Sequence, residues 1–311
     1  MSHDLRKNDI QRWLNTRFLN TKITLSPING DASFRRYFRT TFNNTAYIIM
    51  DSPPITEPVQ PFINSTERLL ASGLRVPRIH HQNNELGCLV LDDFGNTDYL
   101  SRLNHETADT LYRRAIDALI TLQEKTSVQD LPVFHRRHIE SELMLFSDWF
   151  LDKQCGIKKA NLNTAFEYLI DACLKQAYVP MHRDYHSRNL MVLDNGGVGI
   201  LDHQDIMLGP ASYDLVSLIK DCYIDWPGNK VTDWLTYYLD CSSLNQSNFH
   251  QAFELTGVQR HLKAIGIFAR LAHLYDKPNY LKYIPRTLKY VQHLADKEPN
   301  LRELAQTIKR L

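Results

Sequence analysis

Residues 182–189 read HRDYHSRN, and a second carboxylate, Asp202, follows after two short apolar runs. Asp184 and Asn189 lie five positions apart, which lets a looped segment turn one side chain toward a reacting hydroxyl and the other toward a metal ion. The apolar runs, LMVL at 190–193 and VGIL at 198–201, flank an Asn-Gly turn, a pattern that predicts a β-hairpin. We expect this hairpin to return Asp202 to the side of the loop.

The spacing of these polar residues matches H-R-D-x-x-x-x-N, a kinase catalytic loop in which the Asp orients the acceptor hydroxyl and the Asn holds magnesium. Phosphoryl transfer needs one carboxylate at the attacking oxygen and separate oxygen ligands for the metal that neutralises the phosphates. We therefore predict Asp184 as the catalytic residue, Asn189 and Asp202 as Mg²⁺ ligands, and ATP as the phosphate donor. A lone His-x-Asp is common in loops, so the prediction depends on the whole combination. The His-Gln after Asp202, where protein kinases have Phe-Gly, argues against a protein kinase with a regulated activation loop.

The composition favours a small-molecule substrate. The chain has 311 residues, enough for two lobes, and its 36 Lys and Arg balance 35 Asp and Glu. The chain lacks the basic excess that would indicate a nucleic acid or an anionic membrane as partner. Nothing in the pattern indicates a protein partner.

The cysteines and the N-terminal sequence predict a cytoplasmic location. Five cysteines are scattered without a Cys-x-x-Cys pair, which fits neither a disulfide framework nor a zinc site. The first residues are charged and lack the apolar core of a signal peptide. No apolar run approaches the ~18 residues that a membrane-spanning helix needs.

The order of elements predicts an α+β fold of the bilobal, protein-kinase-like kind. Apolar spacing indicates a helix over 5–18, strands near 23–25, 34–40 and 46–50, a helix over 59–72 ended by Gly73, and strands over 76–79 and 87–91. We assign residues 1–93 to a β-rich lobe that covers the nucleotide. Residues 94–311 form a mostly helical catalytic and substrate-binding lobe, with helices over 107–121, 137–153 and 162–175 before the catalytic loop.

Nucleotide contacts are predicted from three places in the first lobe. Gly30 and Ser33 lie in a turn whose backbone N–H groups and hydroxyl can donate to phosphate oxygens. The third strand lacks the Lys that holds the phosphates in protein kinases, so Arg36 becomes the candidate cation. A carboxylate partner is the equal alternative for Arg36, since an Arg between two Phe on one strand face is costly if buried unpaired.

The pattern break at 92–95 predicts the hinge between the lobes. Backbone groups near Asp92 and Phe94 are expected to hydrogen-bond the adenine. For the carboxylates of Asp92 and Asp93, a strand-to-helix turn that solvates the surface is an equally good explanation.

The quoted loop, with DHQD at 202–205 and GPASYD at 209–214, resembles the aminoglycoside phosphotransferase family of small-molecule kinases, which share the protein-kinase-like fold. More narrowly, DASFRRYFR at 31–39, MDSPP at 50–54, the stretch 214–227 and GIFAR at 266–270 resemble bacterial anomeric kinases of N-acetylmuramate and N-acetylglucosamine. This resemblance implies ATP-dependent phosphorylation of the C1 hydroxyl of these amino sugars, giving sugar 1-phosphates for cell-wall peptidoglycan recycling.

Sugar contacts are expected in the segments after the metal Asp. Gln204, Asp205 and Asp221 are candidates because a polar sugar needs acceptors for its hydroxyls, although each is individually explained as well by a structural role. Arg270, on a late helix, could reach a lactyl carboxylate, or it could lie on a solvated helix face.

Two further residues are expected to support the catalytic loop without contacting the substrate. They are His182 and Asp214. Asp214 either braces the loop or caps the helix that begins near it.

Two rival functions stay open. A kinase of the same fold could act on another small alcohol, such as an aminoglycoside, choline or another sugar, because function lives in the site and not in the scaffold. An aminoglycoside is polycationic and would need an acidic pocket, and this alternative is supported by Asp205, Asp221 and Asp225. A nucleotide-binding pseudokinase is the second rival, favoured by the missing strand Lys and opposed by the complete set of Asp184, Asn189 and Asp202.

Overall fold

The computed structural model describes residues 4–18, 23–28, 35–158, 160–244 and 247–311. The predicted phosphate-binding residues Gly30 and Ser33 lie outside this part of the chain. The described residues belong to two compact units, Met1–Thr97 with Met191–Asp205, and Asp98–Leu190 with Ile206–Leu311. None of the helices in these ranges is both long enough and apolar enough to cross a membrane.

The first unit is an antiparallel sheet with two helices. Its helices are α1 (Leu5–Arg17) and α2 (Gln60–Ala71), and its strands are β1 (Ser26–Ile28), β2 (Arg36–Phe42), β3 (Thr45–Asp51), β4 (Ile79–Asn83) and β5 (Cys88–Asp92). The strands lie in the order β1-β2-β3-β5-β4. The register places Tyr37 opposite Met50 and Arg36 opposite Asp51.

Alternation along β2 and β3 gives the sheet two apolar faces. On one face, Phe38 and Ile49 pack with Ile10 and Leu14 of α1. On the other face, Met50 packs with Phe62 and Ile63 of α2, and Tyr37 lies against that cluster. Successive side chains of one strand therefore contact different helices, α1 on one face of the sheet and α2 on the other.

The predicted helices of this unit are confirmed, and two predicted strands are misplaced. Helix α2 ends as expected before Gly73, whose φ is +88°. The strand expected near 23–25 lies at Ser26–Ile28, and the strand expected over 76–79 lies at Ile79–Asn83, partly over the predicted turn. Strand β4 is an exposed edge strand of His, Gln and Asn, so its composition resembles a turn.

The second unit is mostly helical. Its α-helices are α3 (Tyr99–Arg102), α4 (Ala108–Lys125), α5 (Arg136–Leu145), α6 (Asn163–Leu174), α7 (Tyr213–Ile219), α8 (Gly228–Cys241), α9 (Phe249–Tyr275), α10 (Ile284–Ala295) and α11 (Arg302–Ile308). A π-helical segment, Phe146–Gln154, continues α5, and 3₁₀ turns lie at Pro278–Tyr283 and Pro299–Leu301. The 27-residue helix α9 is largely buried and supplies the centre of the core. This combination of a sheet unit and a helical unit confirms the predicted α+β class.

Four short strands surround the catalytic loop in sequence. They are β6 (Tyr178–Met181), β7 (Leu190–Val192), β8 (Val198–Ile200) and β9 (Met207–Pro210). Strands β7 and β8 form the predicted hairpin, and Gly196 in its turn has a φ of +75°. The antiparallel pairing of β6 with β9 was not expected from the sequence.

Candidate active site

The predicted catalytic loop, residues 182–189, joins β6 to β7 and is held at its start by Asp214. The backbone N–H groups of His182 and Arg183 donate to the two carboxylate oxygens of Asp214, at 2.5 and 2.9 Å. Asp214 is completely buried at the first turn of α7. Arg183 has a φ of +78°, a strained conformation for a residue with a side chain. The Asp214 carboxylate therefore holds the backbone at this strained residue.

Two other contacts fix the middle of the loop. The buried Tyr185 hydroxyl donates to the carbonyl of Ala115 in α4 at 2.8 Å. The Asp221 carboxylate, 1% exposed, accepts from the backbone N–H of Ser187 at 2.9 Å and from that of Tyr223 at 2.8 Å. Both Asp221 oxygens are used in this way, so the structure gives Asp221 a supporting contact. Its predicted role in sugar binding is untested.

Asp184 and Asn189 lie within hydrogen-bonding distance in the loop. The Asn189 side-chain Nδ2 donates to the backbone carbonyl of Asp184 at 3.0 Å. The backbone N–H of Asp184 in turn donates to Nδ1 of the buried His182 at 3.3 Å. The first contact fixes the Asn189 amide through its N–H group and leaves its oxygen as the atom suited to a hard cation.

The charge of Asp184 is set by positive side chains from α9. Burial alone would raise the pKa of this carboxyl. The nearby positive charges, chiefly that of Lys263 and also that of Arg260, lower the pKa by more than burial raises it, so the net pKa lies below the ordinary value. Asp184 therefore stays ionised at neutral pH. A carboxylate of this kind is a weak base and a good hydrogen-bond acceptor.

A buried polar network in the second unit holds Lys263 in place. Glu142 of α5 accepts hydrogen bonds from Arg183 at 3.2 Å and from Tyr213 and Gln259 at 3.0 Å each, and it forms a 3.0 Å ion pair with Lys263. Burial opposes the ionisation of Glu142, but Lys263 and Arg183 lower its pKa below the ordinary value. The network thus links α5 and α9 to the catalytic loop.

Sequence reasoning missed this network. The signal in the sequence is weak: the polar cluster Gln259, Arg260, His261 and Lys263 is followed by the mostly apolar stretch 264–269 of the same helix. Only the packing of α9 shows that these side chains are buried.

The predicted metal ligand Asp202 belongs to the first unit and follows β8. It is exposed and has a φ of +57°, and Gln204 Nε2 donates to its Oδ1 at 2.9 Å. Within the described ranges, no three His, Cys, Asp or Glu side chains group closely enough to hold a metal. The oxygen donors of Asn189 and Asp202 have the chemistry that Mg²⁺ takes, and Mg²⁺ commonly completes its shell with phosphates and water.

Arg36, the candidate phosphate-binding cation, has carboxylate partners. Its Nε donates to Asp51 Oδ2 at 2.8 Å, its Nη2 lies 2.5 Å from the same oxygen, and its Nη1 pairs with Asp4. Asp51 is completely buried and needs this positive charge. This pairing is the carboxylate alternative stated above, and it disfavours a role for Arg36 at the nucleotide.

The predicted hinge residues make local contacts. Asp92 accepts from the backbone N–H of Arg78 at 3.1 Å and pairs with His80 at 2.6 Å. The Phe94 ring packs on Gly199, where a Cβ atom would lie 2.6 Å from the ring. These side chains serve the first unit itself, and the adenine contacts predicted for their backbone are untested.

The remaining sugar-binding candidates differ in exposure. Asp205 is exposed, Gln204 is half-buried, and the Gln204 Oε1 atom is buried without a hydrogen-bond partner among the described residues. Arg270 of α9 is half-buried, and its Nε also lacks such a partner. Sugar contacts by these residues are untested.

Comparison with known proteins gives matches to kinases over almost the whole chain. Residues 24–247 match the model of the phosphotransferase enzyme family. The N-acetylmuramate/N-acetylglucosamine kinase of Pseudomonas putida is 36% identical over 99% of this chain and 97% of its own length. The kinase of the same name from Neisseria meningitidis is 35% identical over 96% of this chain and 94% of its own length.

Solved structures show the same fold at low sequence identity. A choline kinase from Streptococcus pneumoniae has a TM-score of 0.67 at 13% identity, over 93% of this chain and 99% of its own. An ADP-bound aminoglycoside phosphotransferase has a TM-score of 0.62 at 14% identity, over 91% of this chain and 97% of its own. The predicted resemblance and the predicted protein-kinase-like fold are confirmed.

Proposed function

The chain belongs to the phosphotransferase enzyme family, and from this premise we propose that it transfers the terminal phosphate of ATP to the C1 hydroxyl of N-acetylmuramate and N-acetylglucosamine. The amino-sugar substrates are supported by the names of relatives that are 35–36% identical over almost the full chain. Transfer to C1, and a role for the sugar 1-phosphates in peptidoglycan recycling, rest on the sequence resemblance described first.

The observation that carries the proposed chemistry is the braced, ionised Asp184. We assign to its carboxylate the hydrogen bond from the anomeric hydroxyl, which orients the attacking oxygen. Because its pKa is low, it accepts the proton only as the hydroxyl becomes acidic in a loose transition state. Asp214 and Asp221 hold the loop, so this orientation needs no rearrangement during the reaction.

Asn189 and Asp202 are proposed to hold Mg²⁺ through their side-chain oxygens. The bound ion would neutralise negative charge on the phosphates of ATP. Asn189 suits this role because its N–H group is already used by the Asp184 carbonyl. Asp202 suits it because its carboxylate is exposed.

The test is phosphate transfer from ATP, with Mg²⁺, to N-acetylmuramate, N-acetylglucosamine, glucose and kanamycin in parallel. Phosphorus NMR of the products identifies the phosphorylated position. We expect a 1-phosphate on the two N-acetylated sugars and none on the other acceptors. Transfer to kanamycin or glucose alone would overturn the substrate, and ATP binding without any transfer would support the pseudokinase.

A further inference from the structure

Four aromatic side chains of the second unit pack together beside the predicted catalytic loop. This aromatic cluster consists of Tyr223, Phe268, Tyr280 and Tyr283. The centroid of the Tyr223 ring lies 4.9 Å from that of Tyr283 and 6.0 Å from that of Phe268. The Phe268 centroid lies 5.8 Å from those of Tyr280 and Tyr283. Rings at these separations are in direct contact.

The aromatic cluster is joined to the loop through Tyr223. The ring of His186 stands nearly perpendicular to the Tyr223 ring at a centroid distance of 5.2 Å. The guanidinium carbon of Arg188 lies 4.9 Å from the Tyr223 centroid and 5.6 Å from that of Tyr280. The Tyr223 ring is thus fixed against side chains that come two and four positions after Asp184.

The aromatic cluster has a buried floor and partly open walls. Phe268 of α9 is 4% exposed, whereas the three tyrosines are only half-buried. Tyr280 and Tyr283 belong to the 3₁₀ turn Pro278–Tyr283, which contains no buried residue. Part of the ring surface beside the loop is therefore open, and open aromatic surface of this kind is typical of a ligand site.

Two hydroxyls of the aromatic cluster, those of Tyr223 and Tyr283, make no hydrogen bond with any other residue that the structure describes. Half-buried tyrosines elsewhere in the second unit are paired. Tyr178 donates to a backbone carbonyl at 3.0 Å, and Tyr290 donates to a carboxylate at 2.7 Å. Burial raises the pKa of the Tyr223 phenol above its ordinary value, so the hydroxyl stays neutral and can donate to a ligand.

Apolar rings next to an unpaired hydroxyl match the two halves of an acetamido group. The methyl group packs on aromatic carbon, and the carbonyl oxygen accepts a hydrogen bond from a neutral phenol. A protonated amine is disfavoured at the same place, because the Arg188 guanidinium already brings a positive charge to the Tyr223 and Tyr280 rings.

The position of Tyr223 in the loop region agrees with this chemistry. In N-acetylated amino sugars the acetamido group is on C2, the carbon next to C1. A side chain that binds it while C1 reacts must lie close to the group that orients the C1 hydroxyl. Tyr223 meets this condition through its contacts with His186 and Arg188, on either side of which lie Asp184 and Asn189.

We propose that the aromatic cluster holds the N-acetyl group of the acceptor sugar, with the Tyr223 hydroxyl donating to the amide oxygen. The proposal rests on the proposed function and adds to it the side chain that selects N-acetylated sugars. Tyr223 is then a specificity-determining residue, while the carboxylate of Asp184 orients the reacting hydroxyl.

The experiment compares N-acetylglucosamine with glucosamine, which lacks the acetyl group, as acceptors for the full-length chain. In Tyr223→Phe, which keeps the ring, we expect the KM for N-acetylglucosamine to rise about 10-fold with kcat almost unchanged, because a hydrogen bond to the bound sugar is lost. The kcat/KM for glucosamine, or its inhibition constant where turnover is too slow, should not change. The KM for ATP should also stay at the wild-type value.

Two controls separate binding from folding. The Tyr223 hydroxyl has no hydrogen bond to another described residue, so its removal should leave the urea denaturation midpoint unchanged. Tyr275→Phe makes the same chemical change at a 47% exposed position at the end of α9 and should keep wild-type kinetics with both sugars.

The outcomes distinguish this proposal from the proposed function. If Tyr223→Phe has the wild-type KM for N-acetylglucosamine, the Tyr223 assignment is wrong and the kinase function stands. An equal loss with both sugars would also overturn it, because Tyr223 would then act only through the loop. A selective loss in Tyr283→Phe alone would give the donor role to Tyr283 instead. If the wild type phosphorylates neither N-acetylated sugar, the proposed substrate is wrong and this proposal fails with it.

Discussion

At the residue scale, the charge of Asp184 is decided by groups far from it in sequence. Lys263 and Arg260 come from α9, and the carboxylate they stabilise lies in a loop that begins after β6. Their positive charge favours a carboxylate that orients a hydroxyl over one that abstracts its proton early. The proposed catalytic group therefore depends on the fold of the second unit as much as on its own motif.

The substitution Asp184→Asn tests this role. We expect kcat to fall by about 10²- to 10⁴-fold, because the amide cannot accept the hydroxyl proton. ATP affinity, measured by calorimetric titration, should stay close to that of the wild type. Asp240→Asn, at an exposed position near the end of α8, is the control and should keep full activity. Near-normal turnover by Asp184→Asn would remove this residue from the mechanism.

The sequence could single out Asp184, Asn189 and Asp202 as candidates because they form a motif with fixed spacing within about twenty positions. It could not reveal Glu142 or Lys263, since their contacts join helices that are distant in sequence. It also could not decide between a carboxylate and the nucleotide phosphates as the partner of Arg36. Period-two alternation shows which side chains share its strand face, but only the positions of α1 and α2 decide what that face contacts.

At the element scale, α9 crosses the junction between α5 and the π-helical segment at Gly266. A Cβ atom at Gly266 would overlap the carbonyl group of Leu145 and lie 2.6 Å from the backbone nitrogen of Phe146. Backbone atoms cannot yield as a flexible side chain can. The helices therefore approach this closely only because residue 266 has no side chain.

Gly266→Ala should consequently destabilise the protein, by about 1–3 kcal/mol as is typical of overpacking. Gly257→Ala is a matched control in the same helix, because its nearest contact would be Val216 Cγ1 at an ordinary 3.7 Å. That control should be neutral or stabilising by about 0.5–1 kcal/mol, since alanine favours a helix over glycine. Urea denaturation of both variants gives the comparison, and equal effects would contradict the close backbone approach.

The elements that the sequence predicted well carry strong local signals. The β7–β8 hairpin has its Asn-Gly turn, and α1, α2, α4 and α6 have helical apolar spacing. Strands β6 and β9 were missed because they are only four residues each and their pairing spans the catalytic loop. The π-helical segment has the same apolar spacing as a helix, so periodicity alone cannot separate the two.

At the scale of the whole molecule, the net charge is only +1, yet the chain contains histidines whose pKa values are strongly shifted in the folded state. His261 of α9 is 1% exposed, stacks on Tyr290, and has its Nε2 at 2.8 Å from the Lys220 carbonyl. Burial lowers its pKa to about 3, although the hydrogen bond to the Lys220 carbonyl opposes the shift. Burial likewise lowers the pKa of His186 to about 4. Both rings are neutral in the folded protein at pH 5.

Acidification should therefore destabilise the fold before the carboxylates titrate. Between pH 6.5 and the lowered pKa, the unfolded chain binds a proton at His261 that the folded chain does not, so the free energy of unfolding falls as pH falls. From pH 7 to pH 5 we expect this residue to contribute a loss of about 1–2 kcal/mol. Urea denaturation at several pH values measures it. His261→Gln keeps an N–H donor for the Lys220 carbonyl but cannot titrate, so its stability should depend less steeply on pH over the same window. An unchanged slope in that variant would show that His261 is protonated in the folded protein and that the pH dependence has another source.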